Sequence, residues 1–162
     1  MKIALFLLAV MLQAPVHAQA TYEQSFNGHI ELHNQVEYRT IPIYAGQGNL
    51  RVWTDSYADG ANFDPIITVW HRGVKVAMND NDATFSDNQS ARDAGVALPA
   101  LARGTYVVTI TAYPNFPLSD RLDDGFTYDN QAPIPIDTWC QPGDPGPGCH
   151  TDRHFSLHWS VE

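Results

Sequence analysis

The stretch "IITVWHRGVKVAM" (Ile66 to Met78) decides the fold class of this chain. Two runs of β-branched, aromatic and other apolar residues stand on either side of a short polar segment that contains Gly73. Residues of the first kind favour strands, and glycine among polar residues favours a turn. The stretch therefore predicts a strand, a turn and a second strand.

The same pattern recurs along the rest of the chain. Phe26 to Leu32 alternates apolar and polar residues, and four further segments have strand composition: "VEYRTIPIYA" (36–45), "NLRVWTDSY" (49–57), "TYVVTITAY" (105–113) and "RHFSLHWSVE" (153–162). No segment longer than about ten residues shows an apolar stripe at helical spacing. We expect one all-β antiparallel sandwich of about seven to nine strands over residues 21–162, with a barrel as the alternative. Its predicted core consists of Phe26, Ile30, Val52, Ile67, Val69, Val107, Ile110, Phe155, Leu157 and Trp159.

Residues 1–20, "MKIALFLLAVMLQAPVHAQA", have the composition of a cleaved secretory signal. Lys2 precedes an apolar segment, Pro15 interrupts it, and small residues suited to cleavage follow. The apolar segment is about half of the roughly 20 residues that a membrane helix needs. We expect a secreted protein, periplasmic or extracellular, with no membrane span.

Two cysteines, Cys140 and Cys149, bracket the loop "QPGDPGPG". Thiols oxidise outside the cytoplasm, and the proline and glycine residues turn the chain back on itself. We therefore predict a Cys140–Cys149 disulfide that staples a Pro/Gly-rich loop over residues 132–149. The spacing does not suit a metal-binding thiolate pair.

The formal net charge of -9 argues against two classes of partner. An acidic chain without a basic run repels nucleic acid and anionic lipid surfaces. We expect neither partner. Excess carboxylate suits solubility or the binding of divalent cations.

Three segments in order resemble a known family: "TDSYADGANFDPIITVWHRGVKVAMNDND", "LPALARGTYVVTITAYPNF" and "LDDGF". They resemble small secreted bacterial β-sandwich proteins related to the pre-peptidase C-terminal domain. The resemblance covers roughly residues 51–126. It implies a jelly-roll-like β-sandwich that is generally non-catalytic. The segment "TWCQPGDPGPGC" departs from the family pattern.

A run of short oxygen-bearing side chains follows Met78, and it raises the question of a calcium site. Asp80, Asp82 and Thr84 alternate along a tight loop. Calcium prefers six to eight oxygen ligands at about 2.3–2.6 Å, so further ligands are needed. The resemblance suggests Asp64, Asp55, Asp87 and Asp124. The alternative is a solvated turn, because Asn and Asp also cap their own backbone.

Histidines form the other candidate metal site. His29, Glu31 and His33 alternate near the first strand, and His154, Ser156 and His158 alternate in the last. If these two strands pair, the imidazoles come close enough to bind zinc or copper. The alternative is a solvated outer face.

No sequence motif points to an enzyme. The chain has no Gly-x-Ser-x-Gly, no His-Glu-x-x-His and no glycine-rich loop opening a helix, and we expect no catalytic activity. Tyr113, Phe116 and Tyr128 border loops and are the candidate ligand-binding aromatics. We expect an exported structural or binding protein. The alternatives are a carbohydrate-binding module and a subunit, homo-oligomeric or bound to an extracellular protein, that assembles through edge strands.

Overall fold

A computed structural model describes residues 22–45, 48–140 and 152–162. Within these ranges the chain forms eight strands and two short 3₁₀ turns, Ala58–Gly60 and Leu122–Asp124. The strands are β1 (Tyr22–His29), β2 (Glu37–Ile43), β3 (Leu50–Thr54), β4 (Pro65–His71), β5 (Val74–Asn79), β6 (Gly95–Leu98), β7 (Gly104–Ala112) and β8 (His154–Val161). The predicted signal, residues 1–20, lies outside the described residues and stays a prediction.

The eight strands form two antiparallel sheets of four. Sheet 1 has the order β1-β8-β3-β6, and sheet 2 has the order β2-β7-β4-β5. This is the arrangement of an eight-stranded jelly roll. The predicted all-β, jelly-roll-like sandwich is confirmed, and the barrel is not the observed architecture.

The stretch that decided the fold class forms the β4–β5 hairpin. His71 pairs with Val74, so Arg72 and Gly73 alone make the turn. Both have positive φ, 54° and 74°, as a type I′ turn requires. Glycine adopts this conformation without steric cost. A two-residue type I′ turn therefore joins the strands, and the register of their pairing shifts between Val69 and Trp70.

The core lies between the two sheets, and most of its predicted members are there. Seven of the ten predicted residues are fully buried: Ile30, Val52, Ile67, Val69, Ile110, Phe155 and Leu157. Phe26 and Trp159 are partly buried and pack against the core. The prediction that Val107 belongs to the core is wrong. Val107 lies beside Trp70 on the outer face of sheet 2. Since side chains alternate along β7, the core takes Tyr106 and Val108 instead.

Four of the connections between the two sheets leave from one end of the sandwich, which we call the loop end. Residues 30–36, 55–64 and 80–94, and the segment that starts at residue 113, all begin there. The opposite end carries the shorter connections, such as the two-residue turn of the β4–β5 hairpin. No helix within the described ranges is long and apolar enough to cross a membrane.

Candidate functional site

Residues 80–94, which we call the acidic loop, contain three of the six predicted calcium ligands, Asp80, Asp82 and Asp87. This loop is held by its own polar side chains. Asp82 Oδ1 accepts hydrogen bonds from the backbone N–H and the hydroxyl of Thr84, at 3.0 and 2.6 Å. Ser86 Oγ accepts from the N–H of Asn88 at 3.2 Å. These are the local bonds by which such side chains stabilise turns.

The side-chain amide of Gln89 forms hydrogen bonds that hold the middle of the acidic loop. Its Oε1 accepts from the N–H groups of Phe85 and Ser86, at 2.8 and 3.1 Å. Its Nε2 donates to three carbonyl oxygens at 2.9 to 3.2 Å, those of Thr54, Asp82 and Ala94. One amide therefore joins both sides of the loop to the end of β3.

Asp93 is the buried anchor of the acidic loop. Its Oδ1 accepts from Thr54 Oγ1 at 3.0 Å and from the N–H groups of Ser56 and Tyr57 at 2.9 and 3.1 Å. Its Oδ2 accepts from the N–H and hydroxyl of Ser90 at 2.8 and 3.2 Å. The sequence analysis missed Asp93. The Ser90-x-x-Asp93 spacing signals the local bonds, but no local pattern signals partners in a distant segment.

The structure does not gather the six predicted calcium ligands, Asp55, Asp64, Asp80, Asp82, Asp87 and Asp124. Asp64 is buried and pairs with Arg92 at 3.4 Å, and Asp55 lies 3.0 Å from His158. Among the described residues, no group of three His, Cys, Asp or Glu side chains could hold a metal ion. Calcium binding stays a prediction, which melting curves in calcium and in chelator would test.

The three predicted ligand-binding aromatics lie together in one segment, residues 113–129, which we call the aromatic loop. The rings of Tyr113 and Phe116 meet edge to face with centres 5.4 Å apart. Asn115 Oδ1 accepts from the N–H of Tyr128 at 2.9 Å, which holds Tyr128 beside the start of the loop. All three aromatic side chains are half-buried.

The aromatic loop is a hairpin that lies on the outer face of sheet 2. The N–H of Thr127 donates to the Phe116 carbonyl, and the N–H of Leu118 donates to the Gly125 carbonyl, both at 2.9 Å. Phe126 is buried against Trp70, with ring centres 6.3 Å apart. The hydrogen bonds and the buried ring fix the backbone that carries the aromatic side chains.

Two phenols near this loop have shifted acidity. Burial raises the pKa of Tyr128, and the nearby Tyr113 raises it further. Burial also raises the pKa of Tyr38, and so does the charge of Asp129. Tyr38 is 49% exposed on the outer face of sheet 2. The sequence analysis missed Tyr38, because an exposed tyrosine within a strand has no local signature.

His33 does not belong to the predicted histidine face. Strand β1 ends at His29, and the chain turns before His33, so the two side chains do not share a strand face. His33 is buried, and its Nδ1 accepts from the N–H of Ile134 at 3.2 Å. Its ring also packs against Tyr128 and Trp139. His33 supports the aromatic loop rather than a metal site.

The other half of the predicted histidine face is observed. Strands β1 and β8 pair, which meets the condition on which the histidine hypothesis depended. His158 stacks on Trp53 with ring centres 5.5 Å apart, and Phe85 covers the other side of Trp53. His158 Nδ1 lies 3.1 Å from Glu23 Oε1, and its Nε2 lies 3.0 Å from Asp55 Oδ1 without the geometry of a hydrogen bond. This stack of three rings covers part of the outer face of sheet 1.

The predicted disulfide involves one residue that the structure describes. Cys140 is not a free thiol. Cys149 lies outside the described residues, as does most of the Pro/Gly-rich segment between the two cysteines. The Cys140–Cys149 pairing stays a prediction.

Comparisons with known proteins add little to this geometry. No family model matches the chain, and no curated protein matches it. Among solved structures, it is similar to PliG of Aeromonas hydrophila, a periplasmic lysozyme inhibitor of g-type lysozyme. The two chains are 16% identical over 93% of each, with a TM-score of 0.37. A similarity of this size carries no argument about function, and the pre-peptidase C-terminal resemblance stays a prediction.

Proposed function

We propose that this protein is an exported, non-catalytic binding protein whose aromatic loop recognises a neutral polysaccharide. The observation that carries the proposal is the placement of Tyr113, Phe116 and Tyr128 on one hydrogen-bonded hairpin. Each ring is half-buried, so each presents part of its surface to solvent. Loops held on a rigid scaffold are the usual carriers of recognition.

The aromatic loop is preorganised for binding. Its two arms are hydrogen-bonded to each other, and its tip is bonded to β5, since the N–H of Lys75 donates to the Asp120 carbonyl at 2.9 Å. Buried Phe126 fixes the loop from beneath. A surface that is already ordered loses little conformational entropy when a ligand binds.

The side chains of this surface suit an uncharged sugar chain. Tyrosine offers an apolar ring face together with a polar hydroxyl, and sugar rings likewise combine apolar faces with hydroxyl groups. The net charge of -9 disfavours a polyanionic polymer, because like charges repel. The polysaccharide is therefore expected to be neutral.

Each of the four carboxylates in the aromatic loop has a partner in the protein, and Asp120 and Asp123 lie 2.9 and 3.6 Å from the cationic groups of Lys75 and Arg121. Asp129 Oδ2 accepts from the N–H of Phe126 at 2.8 Å, and Asp124 accepts from the hydroxyl of Ser119. Glycoside hydrolysis needs two carboxyl groups that face each other across the substrate bond. Carboxylates committed to the fold of their own loop support binding without hydrolysis.

A glycan array of neutral polysaccharides tests the proposal. We expect wild-type protein to bind, the Tyr113→Ala, Phe116→Ala double variant to lose binding, and no reducing sugar to be released. The matched control is Asp80→Ala, Asp82→Ala in the acidic loop, which should bind as wild type does. Equal binding by the aromatic variant, or release of sugar, would contradict the proposal.

A second candidate function is self-assembly through the β5 edge of sheet 2. Val74, Val76 and Met78 are 45%, 41% and 41% exposed along this edge strand. Apolar edge strands pair with other chains unless a charge or a covering segment blocks them. Within the described ranges, the tip of the aromatic loop bonds to Gly73 and Lys75, at the start of β5, and to no later residue of that strand.

Sedimentation separates this second candidate from the first. Assembly through β5 predicts a concentration-dependent dimer that the Val76→Lys variant abolishes. The same substitution at the exposed Thr105, on a strand inside sheet 2, is the control and should leave the dimer unchanged. A monomer at every concentration would exclude assembly and leave polysaccharide binding untouched.

A further inference from the structure

We propose that His29 and His154 together bind one divalent transition-metal ion on the outer face of sheet 1. The two residues are direct cross-strand partners at the loop end of the β1–β8 ladder. Their ring centres lie 5.9 Å apart at an interplanar angle of 69°. This site is independent of the aromatic loop, which lies on the opposite sheet.

The separation of the two rings suits a shared ion. A zinc–nitrogen bond is about 2.0–2.1 Å, so two imidazoles on one ion have ring centres roughly 5 to 6 Å apart, depending on the angle between the bonds. The observed spacing falls in this range. The ladder of eight paired residues holds both Cα atoms in place, so the rings can turn their nitrogen atoms to one ion by side-chain rotation, without movement of the strands.

A neighbouring amide orients one of the imidazoles. His154 Nε2 lies 3.3 Å from Asn27 Oδ1, which also accepts from the hydroxyl of Ser156 at 2.8 Å. Since that oxygen can only accept, a hydrogen bond here requires the tautomer with its proton on Nε2, which leaves the Nδ1 lone pair for the ion. Metal-binding histidines are commonly oriented in this way by a hydrogen bond at their other nitrogen.

The chemistry of the pair indicates which ion binds. Neutral imidazole suits copper, nickel and zinc, whereas calcium and magnesium require oxygen ligands. Among the described residues no third His, Cys, Asp or Glu joins the pair. Water therefore completes the coordination, and the ion is exchangeable. Copper(II) should bind most tightly, followed by nickel(II) and zinc(II).

The carboxylates beside this end of the ladder have other partners. Glu31 and Asp137 both pair with Arg153, the residue before His154. Asp152 Oδ1 accepts from the N–H groups of Arg153 and His154, at 2.7 and 3.0 Å. His158 lies on the same face of β8, but it is stacked on Trp53 and contacts Glu23. The pair at the loop end is therefore distinct from the histidine farther along β8.

Titration of the untagged mature protein with copper(II) tests the site. Calorimetry should give one ion per chain, and electron paramagnetic resonance should show nitrogen coordination. His29→Gln and His154→Gln should each weaken binding at least tenfold, and the double variant should remove it. The matched control is His71→Gln, whose ring packs on Tyr106 in sheet 2 and which should bind as wild type does.

A measurement on the wild-type protein tests the site even if the histidine variants fold poorly. Copper(II) at a tenth of an equivalent should broaden the ring proton signals of His29 and His154 and spare those of His71. The inference is overturned if other histidines broaden instead, if the double variant binds as wild type does, or if no nitrogen-coordinated copper is found.

Discussion

Two long loops fold back over opposite faces of this sandwich, and they are anchored in different ways. Each places a phenylalanine against a strand tryptophan: Phe85 of the acidic loop lies on Trp53, and Phe126 of the aromatic loop lies on Trp70. Beneath the acidic loop, Asp93 is buried and accepts five hydrogen bonds. The aromatic loop is joined mainly by bonds between its own two arms.

The comparison shows that polar composition does not by itself mark a functional loop. The polar side chains that made the acidic loop conspicuous bond to its backbone and to the end of β3. The aromatic loop is held by backbone bonds, by Asp124 and Asp129 and by buried Phe126, and these leave Tyr113 and Phe116 at the surface. We therefore infer that the acidic loop has mainly a structural role and that the aromatic loop contacts the ligand.

The largest effect is expected from Asp93→Ala. It removes five hydrogen bonds and leaves the N–H groups of Ser56 and Tyr57 buried without their acceptor. Since each buried unsatisfied group costs about 1–3 kcal/mol, the free energy of unfolding should fall by roughly 4 kcal/mol. Urea unfolding measures it.

The control for that substitution is Asp87→Ala, in the same loop. Asp87 is exposed, and its loss should change stability by about 0.5 kcal/mol or less. If the two variants were equally stable, the buried carboxylate would not anchor the acidic loop, and the contrast between the two loops would fail.

The fold could be predicted from the sequence because apolar and polar residues alternate along its strands. Glycine, proline and asparagine mark its turns. The one strand missed is β6, which has only four residues and follows a long polar segment. Val107 was assigned to the core although it stands three positions from Ile110. Residues an odd number apart on a strand face opposite ways, so strict alternation would have corrected it.

The candidate site could be predicted only in part. Tyr113, Phe116 and Tyr128 belong to one short segment, so their proximity was visible in the sequence. The roles of Asp93 and Gln89 were not, because their partners in β3 lie more than thirty residues away. The His29–His154 pair depended on the pairing of the first and last strands, which the sequence suggested and the structure shows.

A smaller effect is expected from Phe126→Ala in the aromatic loop. The substitution removes a buried ring from Trp70. Large-to-small changes of this kind cost about 3–5 kcal/mol, and a gap that opens to water rather than forming an enclosed cavity places this one near 3 kcal/mol. Tryptophan fluorescence should shift to the red as Trp70 gains solvent. Leu118→Ala, at a residue 59% exposed, is the control and should leave both readouts unchanged.

The smallest effect is expected from pH. Burial raises the pKa of Tyr128 above its ordinary value of 10.0, and Tyr113 adds to the shift. The neutral phenol is thus favoured in the folded protein. Its contribution to stability is complete below pH 10 and is lost as the pH rises from there through the raised pKa.

Carbon-13 NMR of the tyrosine Cζ atoms would follow the titration of Tyr128 directly. Tyr113→Phe should lower the pKa of Tyr128 without returning it to 10.0, because burial is the larger cause. Tyr44→Phe, at the opposite end of the sandwich, should leave it unchanged. A Tyr128 that titrates at its ordinary value in the wild-type protein would mean that the phenol is fully solvated. The aromatic loop would then lack the partly buried surface on which its assigned role depends.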